Sequence, residues 1–257
     1  YYKKLLNDLP DNTVLLTNFG TLQFQKKKLD NGIKIIEKSL KLDPNQPNAL
    51  NNLGVVFLGL NQPDEALIRF DSAITFQKNY AEAHSNRGNA LNDLNRPKAA
   101  LESYDRAILI NPGYAKAYSN RGNVLKDLNR LNEALESYDH AITFMPNYAN
   151  AYSNRGDVLK ELNQLEKAIE SYEYAIKLNP NIEFILGELF KAKMSLCSWS
   201  GLANRIEEIK TKVNNNEKVS SPFSLLAVID DPEIQRQSAK IYVNAKYPKN
   251  NVLPKIE

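Results

Sequence analysis

Five asparagines, Asn18, Asn52, Asn86, Asn120 and Asn154, recur at intervals of 34 residues. A primary amide donates through its N–H groups and accepts through its carbonyl oxygen. It can therefore pair with both the N–H and the C=O of an extended peptide backbone, whatever side chains that peptide carries. Asn89, Asn123 and Asp157 stand three residues further on, on the same helix face one turn along. A ladder of amides, one per interval, would grip backbone and tolerate sequence. Polar packing inside the fold is the alternative. A merely solvated face would be better served by Lys or Glu, because Asn is a mediocre helix former.

The elements that position this column follow from the period. Written in register, the chain gives five blocks: 13–46, 47–80, 81–114, 115–148 and 149–182. The eighth position is glycine in all five: Gly20, Gly54, Gly88, Gly122 and Gly156. The twentieth is Gly32, then Ala66, Ala100, Ala134 and Ala168. The twenty-fourth is bulky: Ile36, Phe70, Tyr104, Tyr138 and Tyr172. The twenty-seventh is Ser39, then Ala73, Ala107, Ala141 and Ala175. The thirty-second is Pro44, Pro112, Pro146 and Pro180, with Lys78 the exception.

Each block reads as two helices. Glycine and alanine sit where one helix must approach its neighbour, and the bulky residue fills the gap beside them. Leu131, Ala134, Leu135, Tyr138, Ala141 and Ile142 form one apolar stripe at helical spacing. Asn61, Asn95, Asn129 and Asn163 fall at the ends of first helices, where a left-handed residue is needed and Asn tolerates it. Pro63 and Pro97 sit near the start of second helices, where a missing N–H costs little. The prolines at position thirty-two stop those helices. Carried backwards, the register puts Tyr2 at position twenty-four and Pro10 at thirty-two, so residues 1–12 read as the second helix of a truncated repeat.

This pattern resembles the tetratricopeptide repeat (TPR), a helix–turn–helix unit of 34 residues. One such hairpin cannot bury its own apolar face, and stacking buries it against the next. The resemblance implies an all-α fold, a right-handed TPR α-solenoid, with the asparagine column lining its concave groove. TPR domains that clamp a C-terminal carboxylate carry lysine at the fifth position. That position here is Thr17, Asn51, Ser85, Ser119 and Ser153, which argues against such a clamp. Arg87, Arg121 and Arg155 hold the seventh position, where a leucine-like residue is common. They read as long stems packed on apolar surface, with the charge reaching water or a neighbouring acid, in preference to an anion-binding stripe.

Residues 183–257 leave the register but remain largely helical. Phe184, Leu186, Leu189 and Phe190 form one stripe, and Leu202, Ile206 and Ile209 another, with a break at Ser200 or Gly201. A loop over "NNNEKVSSP" precedes a short apolar helix. Asp231 is a good N-cap with Pro232 at the first helical position. The succession "GELFKAKMSLCSWS", then "SPFSLLAVIDDPEIQRQSAKIYVNAKYP", resembles the linker between the repeats and the catalytic half of SPINDLY-type and O-linked N-acetylglucosamine transferases, glycosyltransferase family 41. That family carries Cys-Asp-Trp where this chain has Cys197-Ser198-Trp199. The resemblance implies a cap and linker leading to a covalently following catalytic domain, which uses a nucleotide-sugar donor beyond Glu257.

Other chemistries are excluded or unsupported. Net charge is +3 and neither the repeats nor the tail forms a basic block, so nothing points to nucleic acid or an anionic membrane. No apolar run reaches the ~18 residues of a bilayer span. The single cysteine, Cys197, allows no internal disulfide and fits a reducing, cytoplasmic setting. There is no phosphate loop, His-Glu-x-x-His, cysteine pair or nucleophile elbow. His84 and His140 lie inside repeats without an acid–base partner arrangement. The chain alone is expected to be non-catalytic and to need no cofactor or metal. The expected role is a protein- or peptide-binding module, as the substrate-presenting arm of a protein O-glycosyltransferase or as a free-standing scaffold. Homodimerisation through a solenoid face is left open.

Overall fold

The computed structural model describes residues 2–26, 28–198, 201–226 and 229–247. Among the described residues there are fifteen α-helices and no strand. The chain divides into two compact units, Tyr1–Leu128 and Asn129–Glu257, and the division falls inside the fourth block.

The first unit holds α1 (Tyr2–Asp8), α2 (Thr13–Gln25), α3 (Leu29–Leu42), α4 (Pro47–Gly59), α5 (Pro63–Phe76), α6 (Ala81–Asp93), α7 (Pro97–Ile110) and α8 (Ala115–Asp127). Helices α2 and α3, α4 and α5, and α6 and α7 pack as antiparallel hairpins. Successive hairpins pack mainly by a second helix on the next first helix, α3 on α4, α5 on α6 and α7 on α8, and first helices also touch along α2–α4, α4–α6 and α6–α8, whereas second helices of successive repeats make no comparable contact among the described residues. The first helices therefore form the inner layer of this stack.

The close approach within each hairpin has a steric cause. A Cβ placed on Gly54 would lie 2.5 Å from Cε1 of Phe70, and one on Gly88 2.6 Å from Cε1 of Tyr104. Only glycine lets the ring lie flat on the partner helix. Phe70, Tyr104, Ala66 and Ala100 are in turn almost wholly buried. Turns between the two helices use left-handed asparagines, as their sequence position predicts: Asn61 at φ 58°, Asn95 at 55°, Asn129 at 58° and Asn163 at 57°. Pro63 and Pro97 open α5 and α7. Helix α5 stops at Phe76 without a following proline, in step with α7, because Gln77 and Asn111 close the last turn identically on Ala73 and Ala107.

The second unit holds α9 (Leu131–Phe144), α10 (Ala149–Glu161), α11 (Leu165–Leu178), α12 (Ile185–Ser195), α13 (Leu202–Asn214), α14 (Pro222–Leu226) and α15 (Pro232–Lys246). Helix α12 has two apolar faces. Ile185, Leu189 and Ala192 join Leu159, Tyr172 and Ala175 of the last repeat. Leu186 and Phe190 join Ile209, Val213, Val219, Leu225, Ile229 and Ile234 in a separate core.

The tail departs from the sequence reading at its start. Phe184 is not part of a helical stripe: it precedes α12 in a left-handed conformation, φ 63°. Its N–H donates to the Lys218 carbonyl at 2.5 Å, and that of Gly187 donates to Val219 at 3.0 Å, so the first turn of α12 is capped by the backbone of residues 218–219. The end of the repeat register also has a physical reason. Continued from residue 183, the eighth position falls on Phe190. A phenyl group there blocks the close approach that glycine permits, and α12 turns that side chain into the second core instead. The break before α13 falls at Gly201, φ 70°. Asp231 caps α15, its carboxylate accepting from the N–H groups of Glu233 and Ile234. Cys197 is exposed; Trp199 and residues 248–257 lie outside the described residues.

Candidate peptide-binding face

The expected site residues lie on four first helices of the first unit and one of the second. Asn18 is on α2, Asn52 on α4, Asn86 and Asn89 on α6, Asn120 and Asn123 on α8, and Asn154 and Asp157 on α10. Asn18 is exposed and the other seven are half-buried.

Asn52, Asn86 and Asn120 donate to the repeat before them. The Asn120 amide donates to Oδ1 of Asn89 at 2.9 Å. Asn52 donates to the Thr21 hydroxyl at 3.1 Å. The donor here is unambiguous, because the Thr21 O–H is already given to the Thr17 carbonyl at 2.9 Å. Asn86 finds Val55, which accepts nothing, at the ninth position of the preceding repeat. It donates instead to Oδ1 of Asn51 at 2.9 Å. The ninth position also receives the phenol of its own repeat: Tyr104 donates to Asn89 at 2.7 Å and Tyr172 to Asp157 at 2.8 Å. Burial raises both phenols well above the ordinary tyrosine range, with the nearby carboxylates Asp93 and Asp157 adding to the effect.

The arginine column is bound up in the stack. Arg87 donates from Nε to Asp71 of the preceding repeat at 2.7 Å and from a terminal nitrogen to the Ser103 hydroxyl at 2.7 Å. Arg155 repeats both contacts with Asp139 and Ser171, and Arg121 pairs with Asp105 at 2.7 Å. These are the neighbouring acids that the long-stem reading expects.

Within the second unit, a cleft of about 950 Å³ is lined by Asn154 and Asp157 of α10, Glu188 of α12, Phe223 of α14 and Tyr242 of α15. The sequence gives no sign of this cleft. Its far wall comes from helices outside the period. Thr21 and Asn51 likewise escape sequence reading, since their part is set by which acceptor the next repeat's amide can reach.

The arrangement offers acceptors and donors for hydrogen bonding but no nucleophile–base pair. Among the described residues no group of three or more metal-ligating side chains is gathered, and no helix is long and apolar enough to cross a membrane.

Comparison with known proteins identifies the repeat. Residues 14–46, 35–68, 81–114 and 149–182 match family models described as tetratricopeptide repeat, and residues 122–163 one described as TPR repeat. No curated protein matches the chain significantly. Among solved structures, MamA is 26% identical with a TM-score of 0.56, over 63% of this chain and 94% of its own. YrrB, described as a TPR protein with an unusual peptide-binding site, is 25% identical with a TM-score of 0.55, over 70% and 93%. The Pseudomonas aeruginosa pilF structure is 16% identical with a TM-score of 0.70, over 89% and 97%, a likeness of fold alone. The matched segments run from residue 14 to residue 182, over the same helix pairs that carry the glycine–aromatic contacts, and the chain is a tetratricopeptide-repeat protein.

Proposed function

We propose that the chain is a peptide-binding module whose first-helix face holds an extended protein segment by its backbone. The observation that carries this reading is the orientation of the amide column. In Asn52, Asn86 and Asn120 one N–H is engaged by the preceding repeat, which fixes the side chain and leaves the carbonyl oxygen and second N–H for a ligand. Groups held in place before binding lose little freedom on binding. The description of YrrB as peptide-binding adds support by analogy.

The test is replacement of Asn86, Asn120 and Asn154 together by alanine, read by fluorescence anisotropy with labelled extended dodecapeptides. Binding falls by about tenfold or more if each lost hydrogen bond is worth ~1 kcal/mol. Unchanged binding in a protein that keeps its helicity sinks the proposal.

A finer reading makes the module the substrate-presenting arm of a protein O-glycosyltransferase. The order of the tail motifs and the asparagine column support it. The solenoid would then contribute local concentration and orientation. Transfer of a sugar from a nucleotide-sugar donor to a Ser- or Thr-containing peptide by the full-length protein tests it, and no transfer by the intact protein rejects it. The competing scaffold reading is favoured by one observation. Helix α12 covers the last repeat with Ile185, Leu189 and Ala192, and the second core covers its other apolar face, so together the tail helices cap that repeat, as a free-standing solenoid requires.

A further inference from the structure

The cleft that ends the inner face of α10 has its own chemistry. Its charged lining is mostly engaged within the protein. Lys160 pairs with Glu188, and Lys191 lies 3.7 Å from the same carboxylate. Glu183 pairs with Lys218 at 2.7 Å. The Lys246 ammonium stands 5.5 Å from the centre of the Phe184 ring, which is held edge-on by Tyr242 at 5.3 Å. The lysines that could greet an anion are thus already committed.

Glu161 and Phe223 are placed differently. Glu161 is exposed and its carboxylate takes part in no ion pair or hydrogen bond among the described residues. It is also the last residue of α10, where the helix dipole adds negative potential and would favour Lys or Arg instead. Asp93 and Asp127 hold the same last position in α6 and α8, so the acid belongs to the repeat, and at α10 it borders the cleft, where it suits an incoming cation. Phe223, which also lines the cleft, is 80% exposed, an uncovered ring of the kind that an apolar side chain or a guanidinium plane covers.

Resting on the peptide-binding reading above, we propose that this cleft is a specificity pocket for a basic–apolar step in the bound segment. An arginine or lysine of the ligand pairs with Glu161, and the adjoining bulky apolar side chain lies on Phe223. The cleft would then choose the sequence of the segment that it holds.

The experiment uses three fluorescein-labelled Ser/Thr/Ala dodecapeptides, alike except for a central Arg-Leu, Glu-Leu or Arg-Ser pair, titrated against the intact chain and its variants. The Arg-Leu peptide binds about fivefold tighter than Glu-Leu, the range of a partly exposed charge pair. Glu161→Gln removes that preference, and Phe223→Ser removes the preference for Arg-Leu over Arg-Ser. Both positions are exposed, and circular dichroism checks that the variants stay folded. Equal binding of all three peptides, or a preference that survives Glu161→Gln, overturns the pocket while leaving the backbone ladder standing. If none of the peptides binds wild-type protein, the peptide-binding reading and the pocket fall together.

Discussion

Oδ1 of Asn89 accepts from two repeats at once: the Asn120 amide reaches it at 2.9 Å and the Tyr104 hydroxyl of its own repeat at 2.7 Å. One oxygen thus ties a groove residue to the buried ring that fills the gap between two helices. The consequences for stability are unequal. Asn89→Ala strands the hydroxyl of a residue only 2% exposed and should cost about 1–3 kcal/mol. Asn120→Ala leaves the tyrosine pair intact and should cost ~1 kcal/mol or less. Asn89→Asp keeps both acceptor contacts, as Asp157 does for Tyr172, and should stay near wild type. Urea unfolding of the three variants checks the order.

The glycine–aromatic contact makes a second prediction. Gly88→Ala puts a methyl group 2.6 Å from the Tyr104 ring, so the ring or helix α7 must move. Overpacking of this kind costs about 1–3 kcal/mol. If the clash is the cause, adding Tyr104→Leu relieves part of it, and the two changes show a coupling of ~0.5 kcal/mol or more in a double-mutant cycle. Strict additivity would contradict the steric account.

These two relationships differ in how much of them a reader of the sequence could see. The pairing of position eight with position twenty-four was legible because both are local to one hairpin and only glycine fits beside a ring. The left-handed asparagines and the Asp231 cap were legible for the same reason. The hydrogen-bond partner of Asn86 was not, since it depends on Val55 failing to accept and Asn51 being in reach. The sequence pattern runs one helical stripe through Phe184, whereas α12 begins at Ile185. Its true cap is the backbone at Lys218 and Val219, more than thirty residues away in sequence, and no local signal announces it. The C-terminal cleft was invisible for the same reason, because its walls come from elements without a common period.

The arginine staples predict a modest, salt-dependent effect. Arg155 and Asp139 are 25% and 50% exposed, so their attraction is largely screened by water. Arg155→Met should lose about 1 kcal/mol or less, and the difference from wild type should shrink in 1 M salt, where screening lengths fall to ~3 Å. Arg155→Lys keeps the charge but cannot reach Asp139 and the Ser171 hydroxyl together, because only the guanidinium fork spans both. Thermal melting at low and high salt separates the two contributions: a loss in Arg155→Lys that persists in high salt belongs to the Ser171 contact.

The buried phenols predict how the fold fails in alkali. Burial raises Tyr80 to about 12, with Glu82 and Tyr114 adding to the effect, and pushes Tyr104 and Tyr172 up further in the same direction. An unfolded tyrosine releases its proton near pH ~10. The folded state therefore keeps protons that the unfolded chain gives up, and stability is full below about pH 10 and lost as pH rises through the folded values. His84 acts with the opposite sign, because burial lowers its basicity. It favours the fold while neutral, and that contribution is lost as pH falls below its unfolded value of ~6.5. Tyrosinate absorbance recorded alongside helical circular dichroism tests the alkaline half. The exposed phenols should ionise first with helicity intact. The remainder should ionise only as helicity collapses, and Tyr104→Phe should reduce the amplitude of that late phase. Complete ionisation near pH 10 with the helices preserved would show that the rings at the twenty-fourth position are not sealed as their contacts require.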